Sequence, residues 1–320
     1  MLFRCRKLKP LLDALADDHQ IYLGTSSWKY EGWCGMLYDE ERYLWKGTFS
    51  KASFERSCLQ EYAACFSTVC VDATYYRFPK PEYIEGLMAQ VSEGFKFSFK
   101  VPDEITIKNF PEVKSFGDRA GKANDGFLNA LTLEYLFLRY LEPFRSKVGM
   151  LIFEFSHFSK EDYEHGQDFV AELDQFFSDL PKGWQYGVEV RNQNLLHPEY
   201  FATLKRHGVA HIYNQWTHMP PVNEQMALHG LHEGDFVAAR YLLKPHHNRH
   251  WAEEKMAPYH RIYEVDVNAR ESLTAILRHL ICAEERAGKP SFLYIGNQLE
   301  GNALHTIADV LERVLGDREA

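Results

Sequence analysis

The feature that most constrains this chain is the regular alternation of short apolar runs with longer amphipathic segments. Eight runs have the length and the β-branched or aromatic content of buried strands, and apolar residues recur at helical spacing in most segments between them. Strands that alternate with helices indicate parallel β/α units, and eight such units close a barrel. The predicted strands are 21–24, 68–72, 95–100, 148–155, 186–190, 209–213, 236–242 and 291–295.

An open, doubly wound sheet is the alternative to a barrel. That fold usually carries a glycine-rich phosphate-binding turn after its first strand. Here the corresponding segment, Gly24-Thr25-Ser26-Ser27, lacks the second and third glycines. The sequence therefore predicts a TIM (β/α)8 barrel. At 320 residues the chain is longer than the roughly 250 residues that such a barrel needs, which leaves room for long βα-loop insertions.

Net charge and cysteine usage exclude some functions. The formal net charge is −9, whereas proteins that coat duplex nucleic acid are usually basic. The six cysteines form no CxxC pair and no zinc-type spacing, which favours free thiols in a reducing cytosol. No segment has the run of about 18 apolar residues that a membrane span needs. We therefore expect a cytoplasmic protein with no membrane partner.

Histidines cluster in one place, at 246–250, within a polar segment after the seventh strand. Their spacing does not match the HExxH pattern of zinc enzymes, and the composition favours a solvated loop. His157 is the only histidine close to a predicted strand end, where a metal site of a barrel enzyme would lie. The sequence predicts no obligatory metal and no cofactor.

Polar residues occur where the predicted strands end. Sites of barrel enzymes lie at this carboxyl end, so these side chains are expected to meet. We interpret the three acids as candidate catalytic groups and the cations with Asn297 as candidate substrate-binding groups, because a carboxylate beside a fixed cation stays ionised and an unneutralised cation binds anions. The acids are Asp72, Glu154 and Glu189; the others are Lys100, Arg191, Arg240, Asn214 and Asn297.

Glu189 and Arg191 are two residues apart on one strand and therefore face the same way. If they point into the barrel they need partners there, and Glu154 and Arg240 are the natural ones. A closed ion-pair lattice at the top of the barrel is the alternative to a functional site, because perturbed charges occur in both.

Aromatic residues are frequent in and beside the first two βα-loops. Trp28, Tyr75 and Tyr76 are candidate substrate contacts, because aromatic faces stack on sugar rings and bases. Trp33 and Tyr38 are interpreted as a hydrophobic lid on the barrel mouth. If the segment is extended, Tyr75 and Tyr76 point in opposite directions, and at most one of them faces the pocket.

Several segments together resemble the YecE-like family, also called domain of unknown function 72. The resemblance implies a TIM barrel without a settled activity, residues 21–316 as the barrel domain and residues 1–20 as a helical extension. The family usually has glutamate at the position of Cys70 and asparagine at that of Asp72. The segments are Leu23–Trp28 with Gly32-Trp33, Phe66–Val69, Asp72–Pro79, Phe97–Pro102 with Ile105-Thr106, Val188–Arg191, Arg240, and Gly296–Gln298 with Gly301 and Ala303.

Three functions stay open at this stage. The first is a hydrolase, lyase or isomerase that acts on an anionic, phosphorylated or sugar-containing small molecule, with Glu189 or Glu154 as general acid/base. The second is a barrel that binds nucleic acid or a nucleotide, which the net charge disfavours. The third is a non-catalytic scaffold, in which the strand-end charges saturate one another and no cavity opens.

Overall fold

The computed structural model describes residues 5–231, 234–286 and 288–316. Eight parallel strands close into a barrel, in the order β1-β10-β9-β8-β7-β6-β5-β4 and back to β1. The short strands β2 and β3 form a separate antiparallel hairpin in the first βα-loop. The strands are β1 Ile21–Ser26, β2 Leu44–Trp45, β3 Thr48–Phe49, β4 Thr68–Val71, β5 Lys96–Lys100, β6 Val148–Phe155, β7 Tyr186–Val190, β8 Ala210–Gln215, β9 Val237–Tyr241 and β10 Ser291–Ile295.

The helices cover the outside of the barrel and its two ends. A π-helical turn, Glu134–Leu138, joins α5 to α6. The helices are α1 Cys5–His19, α2 Lys51–Ala63, α3 Pro81–Met88, α4 Asp103–Thr106, α5 Ala130–Leu133, α6 Arg139–Leu141, α7 Gly166–Asp179, α8 Pro198–His207, α9 Val222–Leu228, α10 Arg249–Met256, α11 Val267–Cys282, α12 Asn297–Glu300 and α13 Ala303–Gly316.

The predicted barrel is confirmed, and β6, β7 and β10 have the predicted bounds. The other strands differ from the prediction by one or two residues at an end. The division into a 1–20 extension and a 21–316 barrel stays a prediction. In the structure α1 buries Leu8, Leu12 and Leu15 in the same core as the barrel strands.

Alternation along the strands divides the apolar residues into an inner and an outer core. Inward positions form a small cluster that includes Cys70, Ile152, Ile212 and Tyr294. Outward positions pack against the helices in the larger cluster. Because a strand places successive side chains on opposite sides, every inward strand end adds one side chain to the floor of the barrel mouth.

Gly24 allows the first and second barrel strands to approach closely. A Cβ atom at this position would lie 2.4 Å from the carbonyl oxygen of Thr68. Glycine is therefore required where β1 meets β4.

The prediction of a solvated loop at 246–250 is correct only in part. Most of these residues are exposed, but α10 begins at Arg249, and Asn248 caps this helix by accepting a hydrogen bond from the backbone N–H of Trp251. The helical spacing of Leu128, Leu131, Tyr135, Leu138 and Leu141 indicates one apolar face, but Leu131 and Tyr135 are 73% and 66% exposed. The buried face of this segment carries Leu133, Phe137 and Leu141, which are four residues apart.

Candidate functional site

Six charged side chains from the strand ends form one cluster at the carboxyl end of the barrel. They belong to β5, β6, β7, β9 and the residues directly after β4 and β7. Glu154 and Glu189 are register partners on adjacent strands, so two like charges lie side by side. Such a pair is stable only with cations between the carboxylates. The six residues are Asp72, Lys100, Glu154, Glu189, Arg191 and Arg240, and we call them the floor cluster.

Arg240 is the centre of the floor cluster and contacts all three of its acids. Its Nη1 donates to Glu189 Oε2 at 2.6 Å and to Glu154 Oε2 at 3.0 Å. Its Nη2 donates to Asp72 Oδ1 at 2.9 Å. Burial alone would lower the pKa of this guanidinium, but the surrounding carboxylates raise it well above its ordinary value.

Glu154 accepts from three cations through a single oxygen. Its Oε2 lies 2.6 Å from Lys100 Nζ, 2.8 Å from Arg191 Nη2 and 3.0 Å from Arg240 Nη1. Burial would raise the pKa of this carboxyl, but the three cations hold it below its ordinary value. Glu154 is therefore a fixed anion that orients cations, and its low basicity makes it a poor proton acceptor.

Arg191 is held from two sides. Its Nη2 and Nε lie 3.2 and 3.3 Å from Glu189 Oε1, in agreement with the predicted pairing of same-facing residues. The guanidinium also stacks on Trp216, with Cζ 3.7 Å from the ring centroid. The stack and the two carboxylates fix the orientation of this cation at the edge of the mouth.

Asp72 is the most accessible acid of the floor cluster, with 34% of its side chain exposed. Its Oδ1 accepts from Arg240 Nη2 and, at 3.5 Å, from the thiol of Cys70. In the described part of the chain, Oδ2 makes no hydrogen bond or ion pair. By contrast, Glu189 is fully buried and does not line the cavity.

A cavity of about 570 Å³ lies above the floor cluster. Five of the six floor residues line it, and its walls come from the loops after β1, β4, β5, β6, β8 and β9. Its volume lies in the range of small-molecule sites. The mouth of the barrel is therefore open, although the charges at its base are paired.

Tyr75 and Tyr76 both line this cavity, which corrects the expectation that at most one of them does. The segment Asp72–Tyr76 is a 3-10 helix and not an extended strand, so consecutive side chains do not alternate. Lys100 Nζ lies 3.9 Å from the centroid of the Tyr75 ring. Tyr76 accepts a hydrogen bond from Arg249 Nη1 at 3.1 Å, a contact between the loops after β4 and β9.

Besides Glu189, three further candidate residues lie outside the cavity lining. Trp28 is 3% exposed, and its carbonyl accepts the hydroxyl of Tyr38. Asn297 is buried and accepts from the N–H of Ala303, the first residue of α13. Asn214 is buried and donates to the carbonyl of Val190. These contacts are structural, because strand-end position alone does not decide whether a side chain reaches the mouth.

Trp33 and Tyr38 are buried and stack on each other with ring centroids 6.2 Å apart. Neither lines the cavity. They pack with Phe54 of α2 and with Tyr30, beside the barrel mouth.

Sequence reasoning missed most of the wall residues, and Trp216 and Arg249 illustrate why. Trp216 directly follows β8, and an aromatic residue one position beyond a predicted strand end was a usable signal. Arg249 lies in the segment predicted as a solvated loop, and only the path of α10 brings it to the cavity. No strand pattern could have placed it there.

Within residues 5–231, 234–286 and 288–316, no group of three or more His, Cys, Asp or Glu side chains is arranged to hold a metal ion. No helix in the same ranges is long and apolar enough to cross a membrane.

Comparisons with known proteins agree with this architecture. UPF0759 protein YecE of Escherichia coli K12 is 27% identical over 182 residues, which cover 57% of this chain and 50% of that protein. The match thus spans about half the length of the curated relative. A DUF72 family protein from Enterococcus faecalis V583 superposes with a TM-score of 0.59 at 17% identity, covering 92% of this chain and 95% of the other. A DUF72 family protein from Thermotoga maritima MSB8 gives 0.57 at 18% identity, covering 94% and 100%.

These solved structures share the fold of this protein. The sequence itself matches the family described as Protein of unknown function DUF72 over residues 22–320, which include the barrel strands except for Ile21 and the whole floor cluster. The chain therefore belongs to the DUF72 family.

Proposed function

We propose that the barrel mouth binds a small polar molecule, anionic or sugar-containing, and that the protein is an enzyme of the hydrolase, lyase or isomerase class. The observation that carries this proposal is an open cavity directly above a rigid set of carboxylates and cations. Active sites of barrel enzymes lie at this end, and reacting groups need such fixed neighbours.

Asp72 is the proposed general acid/base. It lines the cavity, its side chain is 34% exposed, and Arg240 holds only one of its two oxygens. A candidate for proton transfer must lie within hydrogen-bonding reach of the ligand, and Oδ2 meets that requirement best among the three acids. Glu154 and Glu189 then act as positioning residues, because they hold Lys100, Arg191 and Arg240 in place.

The test is a turnover screen on mixtures of sugars, sugar phosphates and small carboxylates, followed by mass spectrometry. The wild-type protein should consume at least one compound, and Asp72→Asn should lose about 100-fold or more of that activity, as expected when a general acid/base is removed. Asp179→Asn is the matched control, since Asp179 ends α7 and lies outside the cavity lining. Undiminished turnover by Asp72→Asn would contradict the role of this residue.

The ion pairs that every acid of the floor cluster makes favour a second candidate, a protein that binds a ligand without converting it. Carboxylates held by cations supply orientation, and this pairing makes them poor proton acceptors. In the same screen this candidate predicts that a compound raises the melting temperature by binding the native state, while its concentration stays constant.

A further inference from the structure

We propose that the ligand is an uncharged, polyhydroxylated ring, of the class of neutral pyranosides, and not a phosphate or a carboxylate. This inference rests on the proposed function and selects between the two ligand chemistries that it leaves open. The charges around the cavity, and not the cationic residues alone, decide between them.

Each cation that lines the cavity in the described part of the chain already contacts a carboxylate. An incoming anion would therefore compete with a partner that is already fixed, and would gain little from a cation that is largely neutralised. The distances are 2.6 Å for Lys100–Glu154, 2.9 Å for Lys108–Glu172, 2.8 Å for Arg191–Glu154, 2.6 Å for Arg240–Glu189 and 2.7 Å for Arg249–Glu253.

Carboxylates outnumber these cations once the partners behind the lining are counted. Asp72, Glu154 and Asp162 line the cavity, and Glu172, Glu189 and Glu253 contact its cations from outside the lining, which gives five cations against six carboxylates and a formal charge of −1. Asp162 accepts only from neutral donors, the side-chain amide of Asn109 and the hydroxyl and N–H of Ser159. A dianionic phosphate would thus meet cations whose charge is already offset by neighbouring carboxylates.

The polar atoms left for a ligand include both hydrogen-bond donors and hydrogen-bond acceptors. Asp72 Oδ2 is an acceptor, and the Nη1 of Arg191 is a donor without a protein partner among the described residues. A ligand hydroxyl both donates and accepts, so a single hydroxyl group can satisfy each of these atoms without adding charge. Phosphate and carboxylate oxygens only accept, and they would repel Asp72.

The walls supply the apolar surface that a sugar ring needs. Six aromatic residues line the cavity, and Tyr76 among them is 54% exposed. The C–H faces of pyranose rings pack on aromatic rings, whereas a free inorganic anion gains nothing from them. The aromatic residues are Tyr30, Tyr75, Tyr76, Phe116, Phe158 and Trp216.

The test compares matched pairs of probes by isothermal titration calorimetry at low ionic strength. The neutral probes are the methyl pyranosides of glucose, galactose, mannose and N-acetylglucosamine. The charged probes are the 6-phosphates and, where they exist, the uronic acids of the same sugars, together with inorganic phosphate. At least one neutral pyranoside should bind about tenfold more tightly than its charged counterpart, a difference of about 1.4 kcal/mol.

Asp72→Asn should remove the preference for the neutral probe, because its amide no longer repels anions and no longer offers a charged acceptor. We expect the variant to bind the neutral pyranoside about tenfold or more weakly than the wild type. Its affinity for the phosphates should be unchanged or higher. Asp179→Asn should change neither class. Its melting temperature and that of Asp72→Asn are compared with the wild type to verify folding.

Two outcomes overturn the inference in different ways. If phosphates or uronates bind more tightly than every neutral partner, the ligand class is wrong while the proposed binding function stands. If no probe binds up to the solubility of the sugars, both the ligand class and the proposed sugar site fail.

Discussion

At the scale of single residues, the partners of Arg240 and Arg191 explain why the two arginines should respond differently to substitution. Arg240 is fully buried and contacts Asp72, Glu154 and Glu189. Arg191 is partly exposed, and each of its two acids keeps another cation when it is removed. The first arginine therefore belongs to the folded core, and the second to the cavity wall.

We predict that Arg240→Ala destabilises the protein by about 3–5 kcal/mol, because buried carboxylates lose their shared cation. Arg191→Ala should leave the fold largely intact and abolish ligand binding. Urea unfolding measures the first effect, and calorimetry with the neutral pyranosides measures the second. Gross unfolding of Arg191→Ala would show that the floor cluster is only a structural lattice.

A second residue-scale prediction concerns His211, which is buried on β8 and hydrogen-bonded through Nδ1 to the hydroxyl of Tyr200 at 3.1 Å. Burial, with a contribution from His229, lowers the pKa of His211 to about 3. In the unfolded chain a histidine has a pKa of about 6.5, so below that pH it is protonated while His211 in the folded chain stays neutral. The free energy of unfolding is therefore unaffected by this group above pH 6.5 and falls as the pH drops from about 6.5 to about 3.

His211→Gln removes this titration and keeps a polar partner for Tyr200. Free energies of unfolding measured across this pH range should fall less steeply for the variant than for the wild type, by up to about 1.4 kcal/mol per pH unit. Parallel curves for the two proteins would contradict the assignment.

The sequence was informative about residues wherever a local rule applied. Glu189 and Arg191 could be paired because alternation along a strand is fixed by backbone geometry. Tyr75 and Tyr76 could not be oriented, because their orientation depends on a 3-10 turn that begins at Asp72. Trp28 and Asn297 follow strands at the carboxyl end of the barrel but pack away from the cavity. The spacing of residues in the sequence does not predict which way such a side chain packs.

At the scale of elements, the π-helical turn after α5 is the clearest departure from the simple helical pattern. In α5, directly before this turn, Leu131 is 73% exposed and Leu133 is fully buried. An apolar residue that faces solvent contributes nothing to the core, so the two leucines should differ strongly in their effect on stability.

We predict that Leu133→Ala costs about 2–5 kcal/mol, as large-to-small changes in a core do. The same change at Leu131 should alter the free energy of unfolding by about 0.5 kcal/mol or less. Chemical denaturation of the two variants provides a matched comparison, since the substitution is identical and the positions are two residues apart. Equal losses would mean that the register of this helix is different from the one described.

The strands were easier to predict than the loop segments. Each barrel strand is short, apolar and bounded by polar residues, and its neighbours are set by chain order in a parallel barrel. By contrast, α10 is an eight-residue helix of polar composition. Its cap at Asn248 and its contacts with Leu243 and Tyr259 depend on how the preceding loop folds back.

At the scale of the whole molecule, one property accounts for the site. A closed barrel brings to a single opening residues that are as far apart in the chain as Asp72 and Arg240. The convergence of the charged strand ends followed from the barrel prediction. The walls of the cavity above them did not, because they are built by loops such as the one that carries Trp216.

The most direct test of the site is a crystal soaked with the neutral pyranoside that binds most tightly. The ligand should occupy the cavity above Arg240, with a hydroxyl within hydrogen-bonding distance of Asp72 Oδ2 and its ring against the aromatic wall formed by Tyr75, Tyr76 or Trp216. A ligand found at any other surface of the protein, with this cavity left unfilled, would contradict the account.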